Sequence, residues 1–138
     1  MALRKLGGES SVDEMLVVSM YSANGLAWAV GDICIQDTGA NRTVKKPTDN
    51  AALWGRVVAI AGPSTATSAT STILSVHVFG YNSVIELQND AAVALGVSPQ
   101  SNGTANKIET SGAAAGKTLV ISSDLNSDGS TYTITCLA

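Results

Sequence analysis

Arg56-Val-Val-Ala-Ile60, a loop reaching Thr72 that is built almost wholly of Pro, Ser, Thr and Ala, and then Ile73-Leu-Ser-Val-His-Val-Phe79 decide the fold class. Short runs rich in β-branched residues on either side of a polar loop read as paired strands, because such side chains fit a pleated surface. In the second run Leu74, Val76 and Val78 alternate with Ser75, His77 and Phe79. That period of two marks a half-buried strand and assigns His77 to its polar face. Gly80-Tyr-Asn82 is a turn signal, and Ser83-Val-Ile-Glu-Leu87 supplies a third strand. The loop Pro63 to Thr72 offers no chemistry and reads as a finger directed outward.

Outward from this stretch the pattern repeats. Met15-Leu-Val-Val-Ser-Met20, Leu26-Ala-Trp-Ala-Val30 and Ile33-Cys-Ile-Gln36 are β-prone runs separated by Ser22-Ala-Asn-Gly25, Gly31-Asp32 and Asp37-Thr-Gly-Ala-Asn41. Thr118-Leu-Val-Ile-Ser122 and Ser130 to Cys136 form a closing hairpin with Tyr132, Ile134 and Cys136 on one face. Thr48 to Leu53 and Asn89 to Gly96 each place a capping residue before a short helical turn. Residues 98–116 are Ser, Gly, Asn and Ala-rich, hence loop or poorly regular strand. The expectation is an all-β, antiparallel domain with minor α over residues 15–138. Residues 1–14 have no period and read as a flexible N-terminal arm.

At 138 residues the chain suits one domain with a real core. Only 14% of the residues are charged. A surface polar through Ser, Thr and Asn suits broad contact with protein, since little charge must be desolvated. The net charge of −3 and two small basic clusters, Arg4-Lys5 and Arg42 with Lys45-Lys46, argue against nucleic acid. The start has no apolar region of secretory length, and no run is long enough to span a bilayer, so synthesis in a cytoplasm and no membrane partner are expected. Cys34 and Cys136 read as buried thiols in a reducing compartment, with a disulfide as the alternative.

Few residues suggest chemistry. Gly112-Ala-Ala-Ala-Gly116-Lys-Thr118 approaches a phosphate-binding loop but has one residue too few between its glycines, and leads into a strand. Asp124-x-Asn126-x-Asp128-Gly129 matches the first half of a calcium loop, yet position 12 is Thr135, and the same residues make ordinary turns. His77 is the only histidine and is read as a surface or interface residue. No acid, base and nucleophile set assembles, so the chain is expected to be no enzyme and to need no cofactor, metal or small-molecule substrate. Trp28 and Trp54 suit a core, but Trp54 before Gly55 at a strand entry also suits an interface anchor. Trp54, Arg56 and Trp28 are therefore the interface candidates.

Gly31-Asp-Ile-Cys-Ile35, Ala52-Leu-Trp-Gly-Arg-Val-Val-Ala-Ile60, Leu74-Ser-Val-His-Val-Phe-Gly80 and the closing strand Thr131 to Leu137 together resemble the capsid decoration, or cement, proteins of tailed bacteriophages. The resemblance spans about residues 15–138 and lies in strand order, size and Ser/Thr/Ala bias. It implies a β-tulip-like or related small barrel and a homotrimer on the outer surface of the virion. It also implies an arm, Ala2, Leu3, Arg4, Lys5 and Leu6, that adds to a sheet of the major capsid protein and so stabilises the expanded head. The Pro-rich arm of some such relatives is absent here. Another phage structural module, such as a head-fibre base or tail decoration, and a small Ca2+- or sugar-binding β-domain are the alternatives.

Overall fold

The computed structural model describes residues 15–110 and 116–138; the expected arm and most of the glycine-rich loop lie outside the described residues. The strands are β1 (Leu16–Ser22), β2 (Ile33–Gln36), β3 (Thr43–Lys45), β4 (Gly55–Ala61), β5 (Ile73–Val78), β6 (Val84–Asn89), β7 (Gln100–Ser101), β8 (Ile108–Glu109), β9 (Leu119–Leu125) and β10 (Tyr132–Leu137). The first five close into a barrel in the order β1-β3-β2-β4-β5. β6, β10 and β9 form a three-stranded sheet with β10 central, and β7 pairs with β8. The all-β expectation holds.

The β4–β5 hairpin is the spine of the barrel: β5 pairs antiparallel with β4 on one side and with β1 on the other. β2 and β3 complete the ring through two-residue pairings. One of them, β1 with β3, is parallel, so the barrel is mixed rather than wholly antiparallel. β2 and its flanking turns lie between β1 and β3 in sequence and supply the crossover that a parallel pair requires.

In β4 Val57 pairs with Val76 and Ala59 with Ser75, leaving Val58 as a bulge. The extra residue shifts the alternation by one, so Val57 and Ile60 both face the core. At Gly55 an added Cβ would lie 2.7 Å from Val76 Cγ1 and 2.8 Å from the His77 carbonyl oxygen. Only glycine lets β4 approach β5 this closely.

Inside the barrel lie Met20, Trp28, Cys34, Val44, Val57, Leu74 and Val76. The run Leu26 to Val30 forms no strand; Ala27 makes a single bridge to Thr65. The Pro/Ser/Thr/Ala loop is also not the outward finger expected of it. Its backbone returns onto this segment, with Trp28 N–H donating to Ser64 O at 2.9 Å and reciprocal bonds at 2.9 Å from Gly25 N–H to Ala66 O and from Ala66 N–H to Leu26 O. Small side chains permit that approach, and Ala66 is buried beneath it. Within the loop, the Ser71 hydroxyl accepts from the Thr67 and Ser68 amides, and the Thr72 hydroxyl donates to Pro63 O.

A second core lies beyond Phe79. The Gly-Tyr-Asn segment is a corner rather than a hairpin turn: Tyr81 takes φ 64°, and β6 leaves the barrel to pair with β10. Along β6, Ile85, Leu87 and Asn89 point inward and Val84, Glu86 and Gln88 outward. Val120, Ile134 and Cys136 complete the sheet's inner face, which packs on Ile33, Leu53, Phe79, Val93 and Ile108. Cys34 and Cys136 are free and occupy different cores, which removes the disulfide alternative.

No helix occurs among the described residues, so the minor α component is corrected. Asn89 does not cap a helical turn. Its buried side chain accepts from Ile108 N–H at 2.9 Å and donates to Ile108 O at 2.9 Å and Ala91 O at 2.8 Å. After Thr48, Asn50 enters the left-handed region at φ 67°, and the chain bonds to Ser101 instead.

Candidate interaction surface

Trp54 stands at the end of the barrel where β4 begins, half-buried, with its carbonyl accepting from Phe79 N–H at 3.0 Å. It walls two open grooves of about 390 Å3 each. One continues over Leu53 and Phe79 toward Lys117. The other is lined by Leu16 and Val18 of β1, Val78 of β5, Gln36 and Arg42. Trp54 is thus half-buried: it packs against the barrel core and leaves part of its side chain on both grooves. Arg56 is half-buried in the ladder between Ile33 and His77. Trp28 is corrected as an interface residue. It is 5% exposed, donates from Nε1 to Ser22 Oγ at 2.6 Å, and lies under Lys46 Nζ, 3.9 Å from its ring centroid. Its indole fills the barrel end that the Pro/Ser/Thr/Ala loop covers.

Lys46 Nζ also reaches Asp32 Oδ2 at 2.9 Å. Asp32 accepts from Asn106 Nδ2 and from Ala29 N–H as well, both at 2.9 Å. Partial burial pushes its carboxyl up, but these hydrogen bonds and the ammonium hold it below the ordinary carboxylate value. The group ties the barrel to the loop carrying Asn106 and is a brace.

The outward face of the three-stranded sheet divides in two. Leu137 is paired with Val84 on one side and Leu119 on the other, so three aliphatic side chains form one row. Ile121, the bulged residue between Val120 and Ser122, is exposed beside them. The next rows, Glu86-Thr135-Ser122 and Gln88-Thr133-Asp124, are polar. The sequence contained these residues, but the row exists only through the register of three strands. The run Met15 to Met20 was legible as β-prone; that Leu16 and Val18 lie on one face with Met20 and line a groove follows from how the barrel closes.

The residues weighed for chemistry are occupied structurally. His77 is fully buried, not on a polar face, because the corner after Phe79 folds Ser83 over it. Its Nε2 lies 3.2 Å from Ser83 Oγ, and its ring meets Phe79 edge-on at 5.3 Å. Burial, and to a lesser degree Arg56, lower its pKa against the opposing effect of a hydrogen bond with the Asn82 side chain. Ser83 Oγ is itself 3.1 Å from Ala138 O. Asp128 accepts from Ser130 N–H, Thr131 N–H and the Thr131 hydroxyl, which pull its pKa down to about 2. Asn126 turns to Gln88, Thr131 and Thr133. The Asp-Asn-Asp segment is therefore held as a hairpin turn, and no group of three or more His, Cys, Asp or Glu converges among the described residues. Burial pushes the Cys34 thiol up to about 12 and the Cys136 thiol up to about 11, so neither is a ready nucleophile.

Comparison of the chain with protein-family models, with curated proteins and with solved structures gave no match.

Proposed function

We propose that the protein is a structural component of a bacteriophage virion, binding the outer surface of the capsid as a trimer and cementing neighbouring major capsid proteins. The observation that carries this reading is the pairing of a weakly charged chain with two partly exposed aliphatic surfaces, the groove beside Trp54 and the Val84-Leu137-Leu119 row. Such surfaces on a small closed barrel suit association with protein. The resemblance in strand order and composition supports the same reading, with residues Ala2 to Leu6 as the segment that joins a capsid sheet. A closed three-fold ring buries heterologous surfaces without generating a filament.

The test is co-sedimentation with expanded heads assembled from the major capsid protein of the same genome, followed by imaging. Stoichiometric decoration at three-fold positions, lost on removal of residues 1–8, is the expected result. Failure to bind expanded heads, or a location on the tail, overturns it.

A further inference from the structure

β1 is supported on both edges only at its end. Residues Leu16 to Tyr21 are paired with β5, whereas β3 reaches only Tyr21 and Ser22. Ser22 N–H donates to Thr72 O, which fixes the phase. By strand alternation the main-chain groups of Leu16, Val18 and Met20 face β5, and those of Val17, Ser19 and Tyr21 face the other edge. Arg42 meets part of that edge: its carbonyl accepts from Tyr21 N–H at 2.6 Å, and its Nη2 donates to Ser19 O at 2.7 Å. On that edge no strand among the described residues lies along Val17. Beneath the open edge lies the groove walled by Leu16, Val18, Val78 and Trp54. An unpaired strand edge above an apolar slot is the arrangement by which proteins take up an extended peptide.

We propose that in the protein free of any shell this groove is filled by the N-terminal segment, residues 1–14, of a second copy of the chain. Leu16 is both the first residue of β1 and part of the groove lining, so the segment sets out from the rim. Fourteen extended residues reach roughly 46 Å, enough to cross to a neighbour. A chain continuing backward from Leu16 along the strand moves away from its own groove, which lies beside the residues that follow. Entry into its own groove requires a reversal within a few residues, and entry into a second copy's groove requires none. The chemistry also matches. Leu3, Leu6 and Val12 suit the slot, and the segment, in which Glu9, Asp13 and Glu14 outweigh Arg4 and Lys5, is net negative opposite Arg42, the only charged residue lining the groove. Arg42 makes no ion pair among the described residues. Passed around a ring, each segment fills one groove and none is left open. This deepens the trimer reading but concerns the free protein, so it stands or falls separately from capsid binding.

The experiment uses full-length chains. Single variants Leu3→Cys and Leu6→Cys are each mixed with Gln36→Cys and oxidised; the native cysteines are buried, with raised pKa values, and stay out of the reaction. A disulfide-linked heterodimer is the expected product. Sedimentation equilibrium should show self-association of the native chain, weakened at least tenfold in Leu3→Asp/Leu6→Asp, whose changes precede β1 in sequence. A Val18→Asp variant should lose the same association, with the Trp54 emission reporting a wetter groove. Linkage found only within one chain of the Leu3→Cys/Gln36→Cys double variant, no linkage in either mixture, or unchanged association of Leu3→Asp/Leu6→Asp overturns the proposal.

Discussion

In the barrel, Cys34, Val44, Val57, Leu74 and Val76 are enclosed by strands hydrogen-bonded into a ring. In the second core, Ile85, Leu87, Val120 and Ile134 have strands on one side only; the other side is made from strand ends and loops carrying Leu53, Val93 and Ile108. A ring satisfies its own main chain through its ladders. A lid of loops must do so residue by residue. Here Val93 N–H donates to Ser123 Oγ and Ala94 N–H to Thr110 Oγ1, both at 3.1 Å, Ile33 N–H donates to Asn106 Oδ1 at 2.8 Å, and Asn89 serves both groups of Ile108. The same aliphatic residues thus stabilise both cores, but the second depends on single polar side chains where the first depends on pairing.

The largest effects should come from emptying either core. Leu74→Ala and Ile134→Ala remove fully buried side chains, one from each core. Each should cost about 2–5 kcal/mol in urea unfolding. Both tryptophans report on the barrel, and Ile33 and Cys34 of β2 belong to different cores, so Ile134→Ala should shift the tryptophan transition as far as Leu74→Ala does. A tryptophan transition unmoved by Ile134→Ala would break the comparison into two independently folding parts. Next, Asn89→Ala should cost about 1–3 kcal/mol by leaving buried groups of Ile108 without partners. Hydrogen exchange should accelerate at Ile108 and stay slow at Val76; equal acceleration at both would erase the distinction between lid and ring.

A smaller effect sharpens the junction of the two regions, where His77 lies. Its folded pKa is below the ordinary value of 6.5, so the folded state binds fewer protons than the unfolded chain. Stability contributed there is complete above pH 6.5 and is lost as the pH falls through the lowered value. His77→Gln should flatten the stability profile below pH 6.5, measured by urea midpoints across that range. An unchanged profile would show that the histidine plays no part in it.

The distinction between ring and lid also explains what the residues disclosed. β1, β2, β4 and β5 were legible because β-branched side chains alternate along them and Gly, Asn or Asp interrupts them. Asn89 was misread for a physical reason: its side chain accepts an amide hydrogen, as a helix cap does, but the amide is that of Ile108, nineteen positions away. His77 was misread because period two gives the face of a strand, not what later folds over that face. The Val58 bulge, the parallel β1–β3 pair and the Val84-Leu137-Leu119 row follow from register, which a single strand does not encode. The place of Trp54 before Gly55 at a strand entry was legible, but its grooves arise from the absence of a covering strand.

The return of the Pro/Ser/Thr/Ala loop onto Gly25 to Trp28 gives the barrel a floor at the Ile73 end of β5, while the Val78 end opens beside Trp54. A cup has a direction that a tube lacks. Copies arranged around an axis normal to a surface all turn their rims the same way. Under the ring proposed above, every copy would therefore present the same part of its cup to the surface it binds.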